Sequence, residues 1–349
     1  MHDGAGTEGK GAAVQIGERG AVIGAGAWGT TLARLLAEKG LSVRLWAYEP
    51  EVVEAIRTKQ ENTLFLPGVS LAATLEPTRL LAEAVHQRDW VIFAVPSHAA
   101  RSVLVQMASV MPRPVPVVNA TKGIEEGTLY LMSQVMRETL PASMHGTFTI
   151  LSGPSFAAEV CLAQPTAVTL AGEDPDLLKG LQGLLTTPAF RVYTGTDPIG
   201  VQLGGALKNV MALAAGVVDG LGLGSSTRAA LITRGLAEMV RLGTAMGADP
   251  RTFYGLSGVG DLVLTCTGAL SRNHAVGIGL AEGRSLQDVM AGMRAVAEGV
   301  HTSRAALGLA KRHGVEMPIV QAVCDVLFEG KPCRQAVTEL MERTAKEEL

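Results

Sequence analysis

The sequence predicts an α/β domain built on a doubly wound parallel sheet, followed by an all-α domain. Up to about residue 197, short apolar runs alternate with helical spacing, as expected when helices cover both faces of a parallel sheet. Beyond that point strand-like alternation almost disappears. We therefore expect a sheet domain over 19–197 and a helical domain over 198–349, after a polar, glycine-rich, mostly disordered lead-in at 1–18.

A glycine turn joins the first strand to the first helix. The apolar run 21–23 enters a G-x-G-x-x-G turn at Gly24, Gly26 and Gly29, and helical spacing follows. Gly24 allows the tight turn, Gly26 lets the backbone approach a pyrophosphate, and Gly29 lets the helix pack closely. The helix N-terminus adds free N–H groups that favour an anion. This order predicts a Rossmann-like site for a dinucleotide.

The remaining elements follow from local patterns. The strand at 42–47 completes a βαβ unit with a right-handed crossover. Runs 90–95 and 115–119 are continuously apolar, as strands buried in a parallel sheet are. Further strands are predicted at 148–151, 166–171 and 190–194, with helices at 50–60, 80–87 and 128–139. In the second domain, helices are predicted at 199–220, 227–246, 275–282, 285–297, 302–313 and 318–328.

Composition disfavours several classes of protein. A net charge of −3 gives no support for a nucleic-acid partner. The most apolar stretch, 201–224, is interrupted by Lys208, Asn209 and Asp219, so we expect a buried helix and no membrane span. The N-terminus lacks the apolar core of a signal peptide. The scattered cysteines predict reduced thiols in a cytoplasmic protein, with no disulfide or metal site: Cys161, Cys266, Cys324 and Cys333.

Polar residues collect where apolar strands end. Ser97, Lys122 and Ser152 stand at the ends of three such runs, and ligands of open α/β sheets bind at the carboxyl ends of the strands. Lys122 could meet an anion or a carbonyl there. The alternative is a surface lysine in a turn.

Lys208 lies in a helix whose neighbours are almost all apolar or glycine. Such a lysine either reaches the surface or is held in a cleft, where desolvation lowers its pKa toward the range useful for proton transfer. Asp261 is a candidate partner, although it could merely cap a helix. The segment Ser271-Arg272-Asn273-His274 offers donors suited to a phosphate; alone, it would be an ordinary polar loop.

Together these residues lie in stretches whose sequence resembles NAD(P)-dependent glycerol-3-phosphate dehydrogenase of the bacterial type. The resemblance covers about residues 20–330, with the motifs in the same order. They are GAGAWGTTLA (24–33), LPG (66–68), VPSHA (95–99), ATKGIE (120–125), SGPSFAAEV (152–160), GVQLGGALKNV (200–210), RAALITRGLAEM (228–239), GDLVLTCTG (260–268), SRNHAVG (271–277) and VEMPI (315–319).

The resemblance implies hydride transfer between nicotinamide C4 and the pair dihydroxyacetone phosphate and sn-glycerol 3-phosphate. It also implies that the reaction supplies precursors of glycerophospholipids and that the protein forms a homodimer. No metal is required. Lys208 would be the proton donor and acceptor, Lys122 would polarise the carbonyl, and Asp261 would orient Lys208 or bind a substrate hydroxyl.

Further positions are implied by the same resemblance. The substrate-binding set is Lys122, Gly153, Ser155, Lys208, Asp261, Ser271, Arg272 and Asn273. The cofactor-binding set is Gly24, Gly26, Ala27, Trp28, Gly29, Tyr48, Lys122, Ala157, Arg272, Val296 and Glu298. Plain packing is the alternative for Trp28, Ala157 and Val296.

The choice between NAD and NADP stays open at the sequence level. Tyr48 could stack on the adenine, and Glu49 could bind the ribose 2′-hydroxyl and favour NAD. Arg44 and Arg57 could instead accept a 2′-phosphate. The alternative functions are a related β-hydroxyacid or 6-phosphogluconate-type dehydrogenase and a catalytically silent dinucleotide sensor. The retention of two lysines argues against the sensor.

Overall fold

One mixed sheet organises the first part of the chain. The computed structural model describes residues 14–293, 296–345 and 347. Among them, eight strands are ordered β3-β2-β1-β4-β5-β6-β7-β8, parallel except that β6 and β7 run antiparallel. The strands are β1 (Arg19–Ile23), β2 (Ser42–Trp46), β3 (Glu76–Thr78), β4 (Trp90–Phe93), β5 (Val117–Asn119), β6 (Phe148–Ser152), β7 (Thr166–Ala171) and β8 (Phe190–Gly195).

Helices cover both faces of this sheet. Two separate cores of buried apolar side chains lie on its two sides, which confirms the predicted doubly wound, Rossmann-like class. A 3-10 turn at Ala142–Thr147 precedes β6. The helices are α1 (Ala27–Glu38), α2 (Pro50–Lys59), α3 (Leu81–Val85), α4 (Ser97–Val110), α5 (Met132–Thr139), α6 (Ala157–Cys161) and α7 (Pro175–Leu185).

The strand order reverses at β1, which pairs with β2 on one side and β4 on the other. Ile23 is in register with Trp46 and with Phe93. Ligands of such sheets bind outside the carboxyl ends of the strands beside this switch point. The glycine turn after β1 and the residues after β4 and β5 are therefore placed at one edge.

Helices make up the described part of the chain after β8, which confirms the all-α region. A 3-10 turn (Pro250–Tyr254) and a π-helical turn (Leu256–Gly260) precede α10. The helices are α8 (Pro198–Gly220), α9 (Gly224–Ala245), α10 (Asp261–Thr267), α11 (Arg272–Ala281), α12 (Leu286–Ala291), α13 (Glu298–Arg312), α14 (Pro318–Phe328) and α15 (Cys333–Met341).

Helix α8 forms the centre of this region. It is the one described helix long and apolar enough to span a membrane by length and composition, and 89% of its most apolar window is buried inside the protein. Its close crossing with α11 depends on glycine: a β-carbon on Gly216 would lie 2.0 Å from the carbonyl oxygen of His274. These contacts are those of a core helix, as predicted.

Several boundaries differ from the sequence expectation; the helix expected at 128–139, for example, begins at Met132, and the helix expected at 275–282 begins at Arg272. The helix expected at 285–297 ends at Ala291, where Gly292 is the C-cap. The helix expected at 302–313 begins earlier, at Glu298, whose negative charge in the first turn complements the helix dipole. Residues 1–13 of the predicted lead-in lie outside the described residues. Residues 14–18 pack against the sheet, with Trp90 Nε1 donating to the Gly17 carbonyl at 3.0 Å.

Candidate active site

The glycine turn has the shape that a dinucleotide requires. Gly24 has a φ of +111°, in the left-handed region, and Gly29 packs so closely that a β-carbon there would lie 1.9 Å from the Gly24 carbonyl oxygen. A β-carbon on Gly26 would meet nothing within 4 Å. The backbone at Gly26 is therefore open for a pyrophosphate, beside the free N–H groups that begin α1.

A buried carboxylate connects the two lysines singled out in the sequence. Asp261 Oδ1 accepts a hydrogen bond from Lys208 Nζ, and Asp261 Oδ2 accepts one from Lys122 Nζ at 2.6 Å. The Asp261 side chain is 1% exposed, against 9% for Lys208 and 18% for Lys122. One buried acid thus pairs with two ammonium groups, so the cluster keeps one excess positive charge when both lysines are protonated.

Three separate elements bring these groups together. Lys122 follows β5 at the carboxyl edge of the sheet, Lys208 lies in the middle of α8, and Asp261 is the first residue of α10. The turn before Asp261 lies close to α8, since a β-carbon on Gly204 would lie 2.3 Å from the carbonyl oxygen of Ser257. The structure resolves the alternative for Asp261, because its carboxylate faces the lysines and makes no helix-capping hydrogen bond.

The electrostatics of the cluster favour proton transfer at Lys208. Burial, together with the charge of Lys122, lowers the pKa of Lys208 to about 7, although the charge of Asp261 opposes this shift. Lys208 Nζ also donates to Thr265 Oγ1 at 2.9 Å, and Lys122 Nζ to the Gly153 carbonyl at 3.1 Å. Both ammonium groups are held in place, and one can exchange a proton near neutral pH.

The segment 271–274, whose donors suit a phosphate, lies at the start of α11. Ser271 caps this helix, accepting a hydrogen bond from the His274 backbone N–H at 3.3 Å. Asn273 is buried between the helices: its amide donates to Asn209 Oδ1, and its oxygen accepts from Gly299 N, both at 2.9 Å. Arg272 is exposed and makes no hydrogen bond or ion pair within the described residues. Desolvation by the surrounding protein atoms lowers its pKa, and the negative charge of Glu298 opposes this shift. The guanidinium is thus available for an anion.

Glu298 ties the helical region to the sheet region. Its carboxylate accepts from the Ser97 backbone N–H at 2.9 Å and from the Ser97 hydroxyl. Gly123, next to Lys122, packs against the same pair, since a β-carbon there would lie 2.5 Å from Ser97 Cβ. Glu298, the first residue of α13, therefore contacts the first residue of α4, beside the carboxyl ends of β4 and β5.

The other predicted positions lie around this edge. Gly153 has a φ of +152°, and Ser155 donates to the Gly153 carbonyl at 3.1 Å. Trp28 packs on Phe190 with ring centroids 6.3 Å apart, which agrees with the packing alternative, yet its buried Nε1 has no hydrogen-bond partner among the described residues. The four remaining positions are Ala27, the first residue of α1, Tyr48, 73% exposed after β2, Ala157, at the start of α6, and Val296, just before α13.

The two arginines considered for a 2′-phosphate are already engaged. Arg44 pairs with Glu76 at 2.9 Å and donates to the Glu83 carbonyl at 2.6 Å. Arg57 donates to the Pro77 carbonyl at 3.3 Å. Arg44 is therefore held by two partners, whereas the hydrogen bond of Arg57 uses one of its five N–H donors.

Sequence reasoning missed Thr265. Its hydroxyl bridges Lys208 Nζ, at 2.9 Å, and the Asp261 carbonyl, at 2.6 Å. The signal was present, because residues four apart on a helix lie on the same face, and Thr265 is four residues after Asp261. Within the described part of the chain, no group of three or more His, Cys, Asp or Glu residues is arranged to hold a metal ion.

Comparisons with known proteins point to one enzyme family. The family model described as the N-terminus of NAD-dependent glycerol-3-phosphate dehydrogenase matches residues 20–178, and the model of its C-terminus matches 197–338. A glycerol-3-phosphate dehydrogenase [NAD(P)+] of Geobacter sulfurreducens is 58% identical over 333 residues, which are 95% of this chain and 99% of that protein. The Myxococcus xanthus enzyme of the same name is 50% identical over 95% of this chain and 99% of that protein.

Solved structures extend the match. A glycerol-3-phosphate dehydrogenase from Coxiella burnetii superposes with a TM-score of 0.89 at 38% identity, covering 93% of this chain and 99% of its own. The Saccharomyces cerevisiae enzyme has a TM-score of 0.78 at 29% identity, with coverages of 93% and 99%. The chain therefore belongs to the NAD(P)-dependent glycerol-3-phosphate dehydrogenase family.

Proposed function

We propose that this chain interconverts dihydroxyacetone phosphate and sn-glycerol 3-phosphate with NAD(P)H. The observation that carries the proposal is the pairing of Lys208 and Lys122 on the single buried carboxylate of Asp261. A dinucleotide sensor would need no such pair, and glycerol-3-phosphate dehydrogenase is the printed name of relatives up to 58% identical.

The chemistry needs one proton at the C2 oxygen of the substrate. A bound nicotinamide would supply or accept the hydride. Lys208 donates the proton in the reducing direction and removes it in the oxidising direction, because its pKa of about 7 lets both forms be populated. The positive charges of Lys208 and Lys122 stabilise developing alkoxide charge, and Asp261 holds the two ammonium groups in place.

The remaining residues divide between substrate and cofactor. Arg272 meets the substrate phosphate, with Ser271, Asn273, Gly153 and Ser155 around it. The open backbone at Gly26 would hold the cofactor pyrophosphate. The other residues that would contact the cofactor are Gly24, Ala27, Trp28, Gly29, Tyr48, Lys122, Ala157, Arg272, Val296 and Glu298. The domains divide near residue 197, and the substrate binds between them.

The biological setting follows from the product. sn-Glycerol 3-phosphate is the backbone precursor of glycerophospholipids, so we place the protein in phospholipid synthesis in the cytoplasm. We also propose a homodimer, on family grounds alone. Sedimentation of the purified protein tests this, and a monomer at working concentration would refute it.

An initial-rate assay tests the proposed reaction. Dihydroxyacetone phosphate is supplied with NADH and, separately, with NADPH, and β-keto acids serve as competing substrates. We expect oxidation of at least one reduced cofactor with the three-carbon phosphate and none with the β-keto acids. Turnover of the acids would support the β-hydroxyacid alternative, and cofactor binding without any turnover would support the sensor.

A further inference from the structure

A buried hydroxyl with no partner lies beside the lysine pair. Ser152, the last residue of β6, is 4% exposed, and its Oγ makes no hydrogen bond within the described residues. Leaving a buried polar group unpaired costs free energy, because the group loses its hydrogen bonds to water. Such a group calls for an explanation.

Strand β6 packs against helix α8, and the hydroxyl of Ser152 stands at a position of this contact where an apolar side chain would be expected. Successive outward positions on a strand are two residues apart, and successive turns on a helix are about four apart. Ile150 packs on Val201 in a small apolar cluster. One step further along both elements, Ser152 faces Gly205. A hydroxyl and a glycine therefore stand where the apolar packing would otherwise continue.

The space at Gly205 is shared by two side chains. A β-carbon on Gly205 would lie 2.5 Å from Ser152 Oγ, 3.5 Å from Ser152 Cβ and 3.5 Å from Lys122 Cγ. The residue after Ser152, Gly153, accepts a hydrogen bond from the Lys122 ammonium through its carbonyl. On the other side, Lys208 lies three residues after Gly205 on α8. The Ser152–Gly205 contact is thus adjacent to both lysines.

We propose that Ser152 and Gly205 are positioning residues, whose contact fixes the stem of Lys122 and so sets where its ammonium meets Asp261. The hydroxyl fills the gap at Gly205 beside the Lys122 stem without extending far enough to push it away. This role rests on the proposed function of Lys122 in polarising the substrate carbonyl.

A set of variants tests this proposal through rescue. In Gly205→Ala the new methyl group lies at an ordinary distance from Lys122 Cγ but overlaps Ser152 Oγ, so the Ser152 side chain must move and no longer fixes the Lys122 stem. We expect kcat to fall about 10- to 100-fold, since small displacements in an active site can cost that much. In the double variant Ser152→Ala with Gly205→Ala, the overlapping oxygen is gone and the two β-carbons meet at an ordinary contact distance. Most of the lost kcat should then return.

The pH profile separates positioning from a general loss of structure. The charge of Lys122 depresses the proton affinity of Lys208, so displacing Lys122 should raise the pH midpoint of kcat/KM for dihydroxyacetone phosphate. Gly205→Ala should show this rise and the double variant should reverse it. Ser152→Ala alone should lower kcat more mildly and shift the midpoint in the same direction. Affinity for NAD(P)H, from quenching of tryptophan fluorescence, should change much less than kcat, because Lys122 is one cofactor contact among several.

Thr149→Val is the matched control. Thr149 is a buried hydroxyl residue of the same strand on the opposite face, and its replacement should change neither kcat nor the midpoint. A double variant no better than Gly205→Ala would overturn the proposal. If Gly205→Ala fails to fold, Ser152→Ala decides, and parent-like kcat and midpoint would overturn it. A parent protein that cannot reduce dihydroxyacetone phosphate would instead defeat the proposed function.

Discussion

At the scale of the residue, the proton transfer proposed for Lys208 predicts opposite pH dependences for reduction and oxidation. Burial lowers its pKa to about 7, and kcat/KM reports the ionisation of the free enzyme. Reduction of dihydroxyacetone phosphate needs the protonated lysine, so its kcat/KM should fall as pH rises above about 7. Oxidation of sn-glycerol 3-phosphate needs the neutral lysine and should rise through the same pH. Profiles with the same slope in both directions would contradict this role.

Asp261 should control where that midpoint lies. Its carboxylate raises the pKa of Lys208, opposing burial and the charge of Lys122. Asp261→Asn removes this attraction, so the midpoint for reduction should move to lower pH and kcat at neutral pH should fall. Asp325→Asn is a control, because it also removes a carboxylate that pairs with a lysine. Asp325 lies on α14 and pairs with Lys331 in the loop after that helix. An unchanged midpoint in Asp261→Asn would show that Asp261 does not act on Lys208.

At the scale of the element, two glycines of the glycine turn have different roles, one in cofactor binding and the other in folding. Gly26→Val adds a side chain where the structure is open, so stability should hold while the dissociation constant for NAD(P)H rises. Gly29→Ala overlaps the Gly24 carbonyl, so it should lower the free energy of unfolding by about 1–3 kcal/mol. Fluorescence titration and urea unfolding measure the two effects. Equal stability losses in both variants would contradict the assigned roles.

Glu238 makes the contact between α9 and α14 sensitive to pH. Its carboxylate accepts from the Ile319 backbone N–H at 2.7 Å, and burial raises its pKa from 4.5 to about 7. The folded protein therefore binds more protons than the unfolded chain between these values, and stability should fall as pH rises through that window, by at most about 3 kcal/mol.

Glu238→Gln removes this titration and keeps an oxygen acceptor for Ile319. Urea unfolding at the two ends of the window should show that the variant loses less stability than the parent as pH rises. Parallel losses in both proteins would mean that Glu238 ionises normally in the folded state.

The elements also show which features local patterns can reveal. The glycine turn, the apolar strands 166–171 and 190–194 and the helix 318–328 were predictable, because their periodicity or turn chemistry is local. The three-residue strand β3 (Glu76–Thr78) was not, since its pairing with β2 is tertiary. Lys122 stood out at the end of an apolar strand, and Lys208 stood out in an apolar helix. Their convergence on Asp261 was not predictable, because it depends on contacts between residues more than 50 positions apart in the chain.

At the scale of the whole molecule, the site is assembled from both parts of the chain. The sheet region contributes the glycine turn and Lys122, and the helical region contributes Lys208, Asp261 and Arg272. Glu298 connects the two through Ser97. The contact between Glu298 and Ser97 joins residues about 200 positions apart, and for that reason no single motif in the sequence specified it.

Replacing Lys208 with alanine tests most directly whether this assembly is a dehydrogenase site that uses a lysine for proton transfer. General acid–base groups contribute about 10²- to 10⁴-fold, so kcat for dihydroxyacetone phosphate should fall by that factor in Lys208→Ala. The dissociation constant for NAD(P)H should stay near that of the parent, because the glycine turn is untouched. Normal turnover by Lys208→Ala, with cofactor bound, would contradict the assignment.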